Sequence, residues 1–311
     1  MRVQYQKKTY SIPFKQMYVV VALVLHATTL VCGHGNMVLP FTWHDKEMMG
    51  MEPGKKNPGC VVESLPDQDD DYDWPTIHGR TVCQQAWFTN YTFIPGEVTI
   101  PEDMLGPGGH KNFPWYSPGT APIFSPCGTY GGNPLGVNYN REEKYGDCNN
   151  KKCGGFVFGP NAEDLDWPEA AVTEMVAGSV QEVAWYVGAN HGGGYSYRLC
   201  KMPVGGTAEL TEECFQETTL DFVGDNQWVM RKHEAHRTEV HAKRTREGTY
   251  PPGSQWTKNP MRSEGDVEHG HVIDYVEIPS YLEPGRYVMS FRWDCQQTFQ
   301  IWNVCANIEI I

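Results

Sequence analysis

The second half of this chain is a series of short segments with strand character and no convincing long amphipathic helix between them. The segments are rich in β-branched and aromatic residues, often alternate between apolar and polar positions, and are separated by turn signals. Such spacing predicts an all-β fold, and seven or so strands suit an immunoglobulin- or fibronectin-III-like β-sandwich with long, disulfide-linked loops. The predicted strands of this half are 173–176, 181–187, 195–200, 272–278, 286–293 and 305–310.

The region from residue 36 to about residue 160 has few periodic segments and many turn-forming residues. Only 81–88 and 97–100 have strand character there, and long loops held by cysteines are commonly functional surfaces. In the second half, 208–216 could form a short helix. The charge-dense stretch 230–246 is compatible with a loop or with an excursion from the sheet.

Residues 1–33 have the pattern of a secretory leader. Residues 1–16 carry basic but no acidic side chains, 17–31 are almost continuously apolar, and Val31 and Gly33 are the small residues that signal peptidase accepts before its cut. An apolar run of about fifteen residues is too short to span a membrane. We therefore predict a secreted, extracellular protein whose mature chain, 34–311, is a single domain; a signal anchor is the competing interpretation.

The mature chain is strongly acidic. The leader holds four of the 25 Lys and Arg residues and none of the 38 Asp and Glu residues, which leaves 21 against 38 and a net charge of −17. Nucleic acid and anionic membranes are therefore poor candidate partners. An uncharged or cationic partner, such as a neutral glycan, fits better.

The mature chain has an odd number of cysteines. In an oxidising compartment they predict a disulfide framework, each bridge contributing about 2–4 kcal/mol, with at least one thiol free or paired outside the chain. Zinc binding is the alternative, but the spacings contain no Cys-x-x-Cys. Asn90 begins an N-glycosylation sequon, which is consistent with secretion. The nine residues are Cys60, Cys83, Cys127, Cys148, Cys153, Cys200, Cys214, Cys295 and Cys305.

Two histidines could form a metal site. Cleavage after Gly33 makes His34 the first residue, with an imidazole and a free α-amino group whose pKa of about 8 lets a metal displace its proton at neutral pH. His191 follows a predicted strand and precedes three glycines, where the backbone can turn sharply and leave the ring at a loop edge. Two imidazoles and one amine make a T-shaped set of three nitrogens that suits Cu(II) and leaves positions open for a small molecule. Taken alone, each histidine is explained as readily by an ordinary structural role.

The combination of motifs resembles a known family. The chain is similar to lytic polysaccharide monooxygenases, in particular the invertebrate-type group numbered fifteen among the auxiliary-activity families, and also to a chitin-binding type-4 domain. The resemblance covers essentially all of 34–311 and implies a copper-dependent enzyme on an immunoglobulin-like sandwich. Its matching motifs are His34-Gly35, Ala189-Asn190-His191 with Gly192 to Cys200, Phe291-Arg292-Trp293-Asp294-Cys295, Gln300-Ile301-Trp302 and Cys305-Ala306-Asn307-Ile308.

The resemblance also implies roles for individual residues: His34 and His191 as copper ligands, Ala189 crowding one axial face, and Gln300 beside the bound oxygen species. Gln300 and Trp302 lie two positions apart in an extended stretch, so they point the same way. The family usually has Tyr or Phe where this chain has Trp302, and an indole supplies no phenol oxygen. Trp302 is a bulky apolar plug, a core aromatic of the last strand, or evidence that the alignment is displaced by one step. Phe299 is the nearby alternative, although its parity is opposite.

Substrate contacts are less readable. The apolar face of an aromatic side chain can stack on a sugar ring, and the same face is buried when the side chain packs in a core. The aromatic residues of the first half are therefore candidates for sugar binding, although most are expected to be packing residues. From position alone, Arg198 and Asp294 could form a buried pair near the site. The aromatic candidates are Trp43, Trp74, Trp87, Trp115, Tyr116 and Tyr130.

Two functional hypotheses follow. The first is a secreted, monomeric copper monooxygenase that uses an external reductant and O2 or H2O2 to hydroxylate a C–H bond next to a glycosidic oxygen in insoluble chitin or cellulose. The second is a non-catalytic polysaccharide-binding or extracellular matrix protein in which the histidines are incidental. The His34 and His191 pair favours the enzyme, since a binding protein has no need of an N-terminal histidine. Trp302 gives the second hypothesis some weight.

We predict that the secreted protein begins at His34, because the charge, length and small residues of the leader place the cut after Gly33. Intact mass and N-terminal sequencing of the secreted protein measure this directly. Any other first residue removes the amine ligand and, with it, the copper hypothesis.

Overall fold

The protein, in a computed structural model, is a sandwich of two β-sheets. Residues 1–33, the predicted leader, and the predicted strand 81–88 lie outside the part of the chain that the structure describes. So do Cys60, Cys83, Cys148 and Cys153. The described residues are 34–43, 89–92, 94, 96–123, 125–128, 161–165, 167, 170–231, 234, 236–260, 267 and 270–311.

Thirteen strands occur among the described residues, more than the seven or so that the sequence predicts. In chain order they are β1 His34–Leu39, β2 Thr89–Tyr91, β3 Val172–Met175, β4 Val180–Ala189, β5 Gly194–Lys201, β6 Asp221–Phe222, β7 Asn226–Met230, β8 Thr238–His241, β9 Arg244–Thr245, β10 Trp256–Lys258, β11 Gly270–Glu277, β12 Gly285–Asp294 and β13 Gln300–Ile310. The helical elements are α1 Glu212–Glu217 and the 3-10 turns Glu102–Met104, Pro114–Tyr116, Ala162–Asp164 and Thr207–Glu209. No helix in this part of the chain is long and apolar enough to cross a membrane.

The strands form a six-stranded and a seven-stranded sheet. The first sheet has the order β1-β4-β11-β7-β8, with β6 also paired to β11. The second has the order β2-β13-β12-β5-β10-β9, with β3 also paired to β13. The pairing of β3 with β13 is parallel, and the other named pairs are antiparallel. The predicted all-β sandwich is therefore confirmed.

All six strands predicted in the second half are present, most with wider bounds. The stretch 230–246 contains the end of β7, then β8 at an edge of the first sheet and β9 at an edge of the second. It therefore carries the chain from one sheet to the other. The high charge of this stretch makes β8 and β9 hard to predict from the sequence, because edge strands tolerate exposed charged side chains and need no apolar alternation.

Two local predictions are corrected. No strand forms at 97–100, because Thr99 donates its backbone N–H to Tyr116 O (3.0 Å) and its hydroxyl to Gly248 O (2.5 Å), neither of which belongs to a strand. The predicted helix 208–216 is divided into a 3-10 turn and α1. Thr211 has extended backbone angles between them and caps α1 by accepting a hydrogen bond from Cys214 N (3.3 Å).

The core lies between the two sheets, and Trp185 of β4 is at its centre. The Trp185 ring lies 5.2 Å from Phe291, 5.1 Å from Trp293 and 5.0 Å from Tyr195, measured between centroids. All four side chains are fully buried. Alternate residues of β5, β12 and β13 face this core, as the period of two along a strand requires. They are Tyr195, Tyr197, Leu199, Tyr287, Met289, Phe291, Trp293, Trp302, Val304, Ala306, Ile308 and Ile310.

Several of the intervening residues of β5 and β12 are charged or polar, yet they too are buried: Ser196, Arg198, Ser290, Arg292 and Asp294. Arg292 forms two hydrogen bonds with Asp294 (2.7 and 3.1 Å) and one with Glu212 at the start of α1 (3.0 Å). Arg198 is bound to the same Glu212 carboxylate oxygen. The predicted Arg198–Asp294 pair is therefore wrong: each charge is buried, but Arg198 has Glu212 as its carboxylate partner and Asp294 has Arg292.

A loop segment, 117–128, covers this outer polar face. Arg292 donates to Ala121 O (3.1 Å), Asn303 donates to Ser125 O (3.1 Å) and Ser290 donates to Pro126 O (2.8 Å). The segment is also linked to β13 by the disulfide Cys127–Cys305. Backbone carbonyl groups that would otherwise be buried without partners are thus satisfied by side chains of the sheet.

The described cysteines fit the predicted disulfide framework in part. Besides Cys127–Cys305, the bridge Cys200–Cys214 joins β5 to α1. Cys295 is buried and is the free thiol among the described cysteines.

We predict that Arg292→Met lowers the free energy of unfolding by about 3–5 kcal/mol, because it leaves the buried Asp294 carboxylate without its cation. Denaturant unfolding followed by tryptophan fluorescence measures the change. Lys201→Met is the matched control: it removes an ion pair to Glu283 of 2.7 Å whose side chains are 57% and 78% exposed, and no measurable loss is expected. Equal losses in the two variants would contradict the importance of the buried pair.

Candidate metal centre

The two predicted ligands lie at the same end of the first sheet. His34 begins β1, and its backbone pairs with Ala189, the last residue of β4. His191 follows two positions later and is partly buried. The His34 side chain lies outside the described residues. The pairing of the His34 backbone with Ala189 brings position 34 close to the loop that contains His191.

Hydrogen bonds hold the backbone on both sides of His191. The Asn190 side chain accepts from Gly192 N (2.9 Å), an Asx turn that bends the chain around the histidine. Gly192 O accepts from the Trp293 indole (2.8 Å) and from the Asn259 amide (3.2 Å). The position of His191 is therefore fixed by residues from three separate parts of the chain.

Glycine is required where this loop meets the second sheet. Gly193 has a φ of +88°, and a Cβ added there would lie 2.0 Å from Asp294 O and 2.9 Å from Gln296 N. Both are backbone atoms and could not move aside easily. The His191 loop and the turn 295–299 therefore pack backbone against backbone.

Gln300, the predicted neighbour of a bound oxygen species, begins β13 at the same end of the molecule. The turn before it donates from Gln297 N to His191 O (3.0 Å) and from Cys295 N to Gln300 O (3.1 Å). The Gln300 side chain is 3% exposed and accepts from the Thr298 hydroxyl (3.1 Å). One short turn thus connects His191 to Gln300.

Tryptophan rings lie beneath the first residues of β1. A Cβ on Gly35 would approach the Trp293 ring to 2.6 Å and the Trp185 ring to 3.0 Å, so the absence of a side chain allows β1 to lie directly on them. Trp293 in turn stacks on Trp302, with ring centroids 6.4 Å apart and planes at 26°. Trp302 is 1% exposed and belongs to the main core, a location that suits a core aromatic of the last strand. Phe299 lies in the preceding turn, partly exposed, with its ring centroid 6.4 Å from that of Phe113.

The free thiol of Cys295 lies close to these residues. Burial raises the pKa of the Cys295 thiol well above its usual range, while the Thr298 and Trp302 side chains act in the opposite direction. The thiol is therefore neutral at physiological pH. Because metals bind the thiolate, Cys295 is poorly suited to be a ligand.

The predicted donor set is compatible with copper and differs from the oxygen-rich ligand sets of calcium sites. No group of three or more His, Cys, Asp or Glu side chains that could hold a metal occurs in the described part of the chain. A set of two imidazoles and a terminal amine contains only two such side chains. A site of this kind depends on nitrogen ligands. Cu(II) binds nitrogen ligands well, whereas hard cations such as Ca²⁺ and Mg²⁺ prefer oxygen ligands.

The aromatic candidates for sugar binding divide into three groups. Trp43 and Trp115 are buried and donate their indole N–H groups to Asn307 (2.9 Å) and to Met104 O (3.1 Å), so their faces are not presented to solvent. Tyr116 is partly exposed, and its hydroxyl donates to Gly108 O (3.2 Å). Trp74, Trp87 and Tyr130 lie outside the described residues.

Sequence reasoning did not predict the residues that hold the histidine loop. Asn190, which precedes His191 and three glycines, carries a recognisable Asx-turn signal. Asn259, Trp293 and the Gln296-Gln297 pair carry no local signal. They act on residues far away in the chain; Trp293, for example, is 101 positions from the Gly192 carbonyl that it binds.

No family model matches the chain. A chitin-binding domain from Burkholderia pseudomallei aligns at 12% identity and a TM-score of 0.39, covering 90% of this chain and 100% of that one. A lytic polysaccharide monooxygenase AA15 from Thermobia domestica in the Cu(I) state aligns at 17% identity and 0.31, covering 57% and 90%. Bacillus amyloliquefaciens CBM33 in complex with Cu(I) aligns at 11% identity and 0.30, covering 52% and 67%. Each of these three TM-scores is below 0.5, so none of the alignments assigns a function to this chain.

We predict that Trp302→Ala lowers the free energy of unfolding by about 3–5 kcal/mol, because it leaves a cavity beside Trp293 in the main core. Thermal and denaturant unfolding measure the loss. Trp302→Tyr keeps an aromatic ring and should lose distinctly less. A Trp302→Ala variant as stable as the parent would mean that this indole is not needed for packing.

Proposed function

We propose that the protein is a secreted, copper-dependent polysaccharide monooxygenase that acts on insoluble chitin or cellulose. The observation that carries the proposal is the pairing of the His34 backbone with Ala189, two residues before His191. This pairing joins the start of the predicted mature chain to the loop that bears the second histidine. A protein that only binds polysaccharide has no need of this arrangement.

In the proposed site, His34 would bind copper through its α-amino nitrogen and its ring, and His191 through its ring. When bound, copper would supply one-electron redox chemistry and open coordination positions for O2 or H2O2, with electrons from an external reductant. The finer details of the proposal, including a monomeric state and the choice between the two polysaccharides, rest on the resemblance noted in the sequence.

The chain's own residues would orient and shield this centre. Asn190 and the Gln297 N–H fix the backbone at His191, so the loop that bears the ring needs little ordering when a ligand binds. Ala189 is 3% exposed and has only a methyl group, so it would lie close to a bound metal and crowd it on one side. Gln300 could donate a hydrogen bond from its side-chain amide to an oxygen ligand.

Trp302 has a different role from the phenol that the family resemblance implies. Its indole packs on Trp293, which lies under the backbone of Gly35. We propose that these rings exclude water beneath the site and donate no ligand to it. A dry, rigid base strengthens electrostatic interactions at the metal and limits unwanted side reactions.

We predict that the mature protein binds one Cu(II) with a type-2 electron paramagnetic resonance spectrum dominated by nitrogen ligands. His191→Ala should weaken binding by more than about 100-fold, since changes outside the ligand set alone typically cost 10–100-fold. His241→Ala, which alters an exposed histidine at the end of β8, is the matched control and should bind as the parent does. A chain that begins at Gly33 keeps both imidazoles but loses the amine of His34, and it should also bind weakly.

Activity is tested with the same proteins. Copper-loaded mature protein and a reductant, incubated separately with β-chitin and microcrystalline cellulose, should release oxidised oligosaccharides detectable by mass spectrometry from at least one of them. Binding to either polysaccharide without oxidised products would favour the alternative, a non-catalytic binding protein. Unchanged copper affinity in His191→Ala would remove His191 from the ligand set.

A further inference from the structure

An exposed turn beside the candidate site is fixed by one buried side chain. The turn, 106–109, is called the glycine turn below. Gln296 is 1% exposed and accepts a hydrogen bond from Gly106 N (2.7 Å), while its amide donates to Gly106 O (2.6 Å) and Gly108 O (2.8 Å). Three hydrogen bonds from a single buried amide therefore set the position of a surface turn 190 positions away in the chain.

The same residue begins the peptide unit that touches His191. Gln297 N donates to His191 O (3.0 Å), and a Cβ on Gly193 would lie 2.9 Å from Gln296 N. The carbonyl of Gln296 and the N–H of Gln297 belong to one planar peptide unit, which moves as a rigid body. This peptide therefore has the His191 backbone against its N–H end.

The other end of the peptide lies against the glycine turn. Gly109 has a φ of +100°, and a Cβ added there would fall 2.3 Å from Gln296 O. The turn and His191 thus contact opposite ends of a single rigid peptide. A displacement of the turn toward Gln296 would press on the Gln296 carbonyl and, through the rigid peptide, move the N–H that holds His191 O.

We propose that Gln296 is a positioning residue for His191, and that the glycine turn sets the orientation of the His191 loop through the 296–297 peptide. The coupling is a property of the metal-free protein. Its importance for a copper ligand rests on the function proposed above. Because Pro107, Gly108 and Gly109 are exposed, a molecule that presses on the turn would alter the geometry of the site through this peptide.

The test uses the metal-free mature protein and perturbs the coupling from two sides. Gln296→Glu keeps the acceptor for Gly106 N but loses both donors and places a carboxylate oxygen against two carbonyl groups. Gly109→Ala inserts a methyl group against Gln296 O and leaves the Gln296 side chain intact. Amide hydrogen exchange at Gln297 and the NMR chemical shifts of the His191 ring are measured, with the thermal midpoint as a separate readout of overall stability.

Both variants should increase the exchange rate of the Gln297 amide by roughly 5- to 30-fold, the range expected for weakening a few local interactions, and should shift the His191 ring resonances. One control, Gly253→Ala, should change neither readout. It introduces the same kind of backbone strain, at a φ of +85°, with nothing within 4 Å of the new methyl group.

The outcomes separate positioning from general stability. If Gln296→Glu and Gly109→Ala lower the thermal midpoint but leave Gln297 exchange and the His191 resonances unchanged, Gln296 only supports the turn and the proposal is wrong. If Gln296→Glu fails to fold, Gly109→Ala decides. Copper is absent from every measurement, so failure of the protein to bind copper would overturn the proposed function without affecting this result.

Discussion

The contact between the two sheets at Trp185 and Trp293 is the interaction on which the rest of the structure depends. It joins β4 of the first sheet to β12 of the second, with ring centroids 5.1 Å apart in a fully buried core. The same rings lie under Gly35, so the contact also determines where β1 can lie. Because large aromatic rings bury much apolar surface and pack in few arrangements, this one cluster aligns the sheets and supports the end that bears the candidate site.

The second sheet is unusual in having polar side chains on its outer face that are nevertheless buried. Arg292, Asp294 and Glu212 form charge-assisted hydrogen bonds there, and neighbouring polar groups bind the carbonyls of segment 117–128. Such ion pairs contribute little net stability relative to apolar residues, but they are costly to break once the chain is built around them. Their directional hydrogen bonds fix one position for a loop that has no regular secondary structure. Segment 117–128 is thereby attached to the sheet by specific contacts as well as by the disulfide Cys127–Cys305.

Predictions from the sequence were most accurate where local pattern and tertiary environment agree. Strand β5, and β12 from Met289 onward, alternate between core-facing apolar residues and outer polar ones, so their period of two is readable in the sequence. The prediction failed at Thr99, whose hydrogen bonds go to distant loops, and in 208–216, where Thr211 ends one helical turn and caps the next. The short strands β8 and β9 were also not predicted, because a charged edge strand has no apolar alternation to detect.

The sequence by itself determined the class of fold, through alternation along the strands, and it supplied the prediction that His34 and His191 are nitrogen donors. Only the tertiary structure decided which residues hold His191 in place. Asn259, Trp293 and Gln297 reach the histidine loop by hydrogen bonds across 67, 101 and 106 positions of the chain, respectively. Such contacts depend on how two sheets and their loops pack, and packing depends on the whole set of side chains at once. A local pattern can therefore predict a strand or a donor atom, whereas the arrangement that orients the donor exists only in the folded chain.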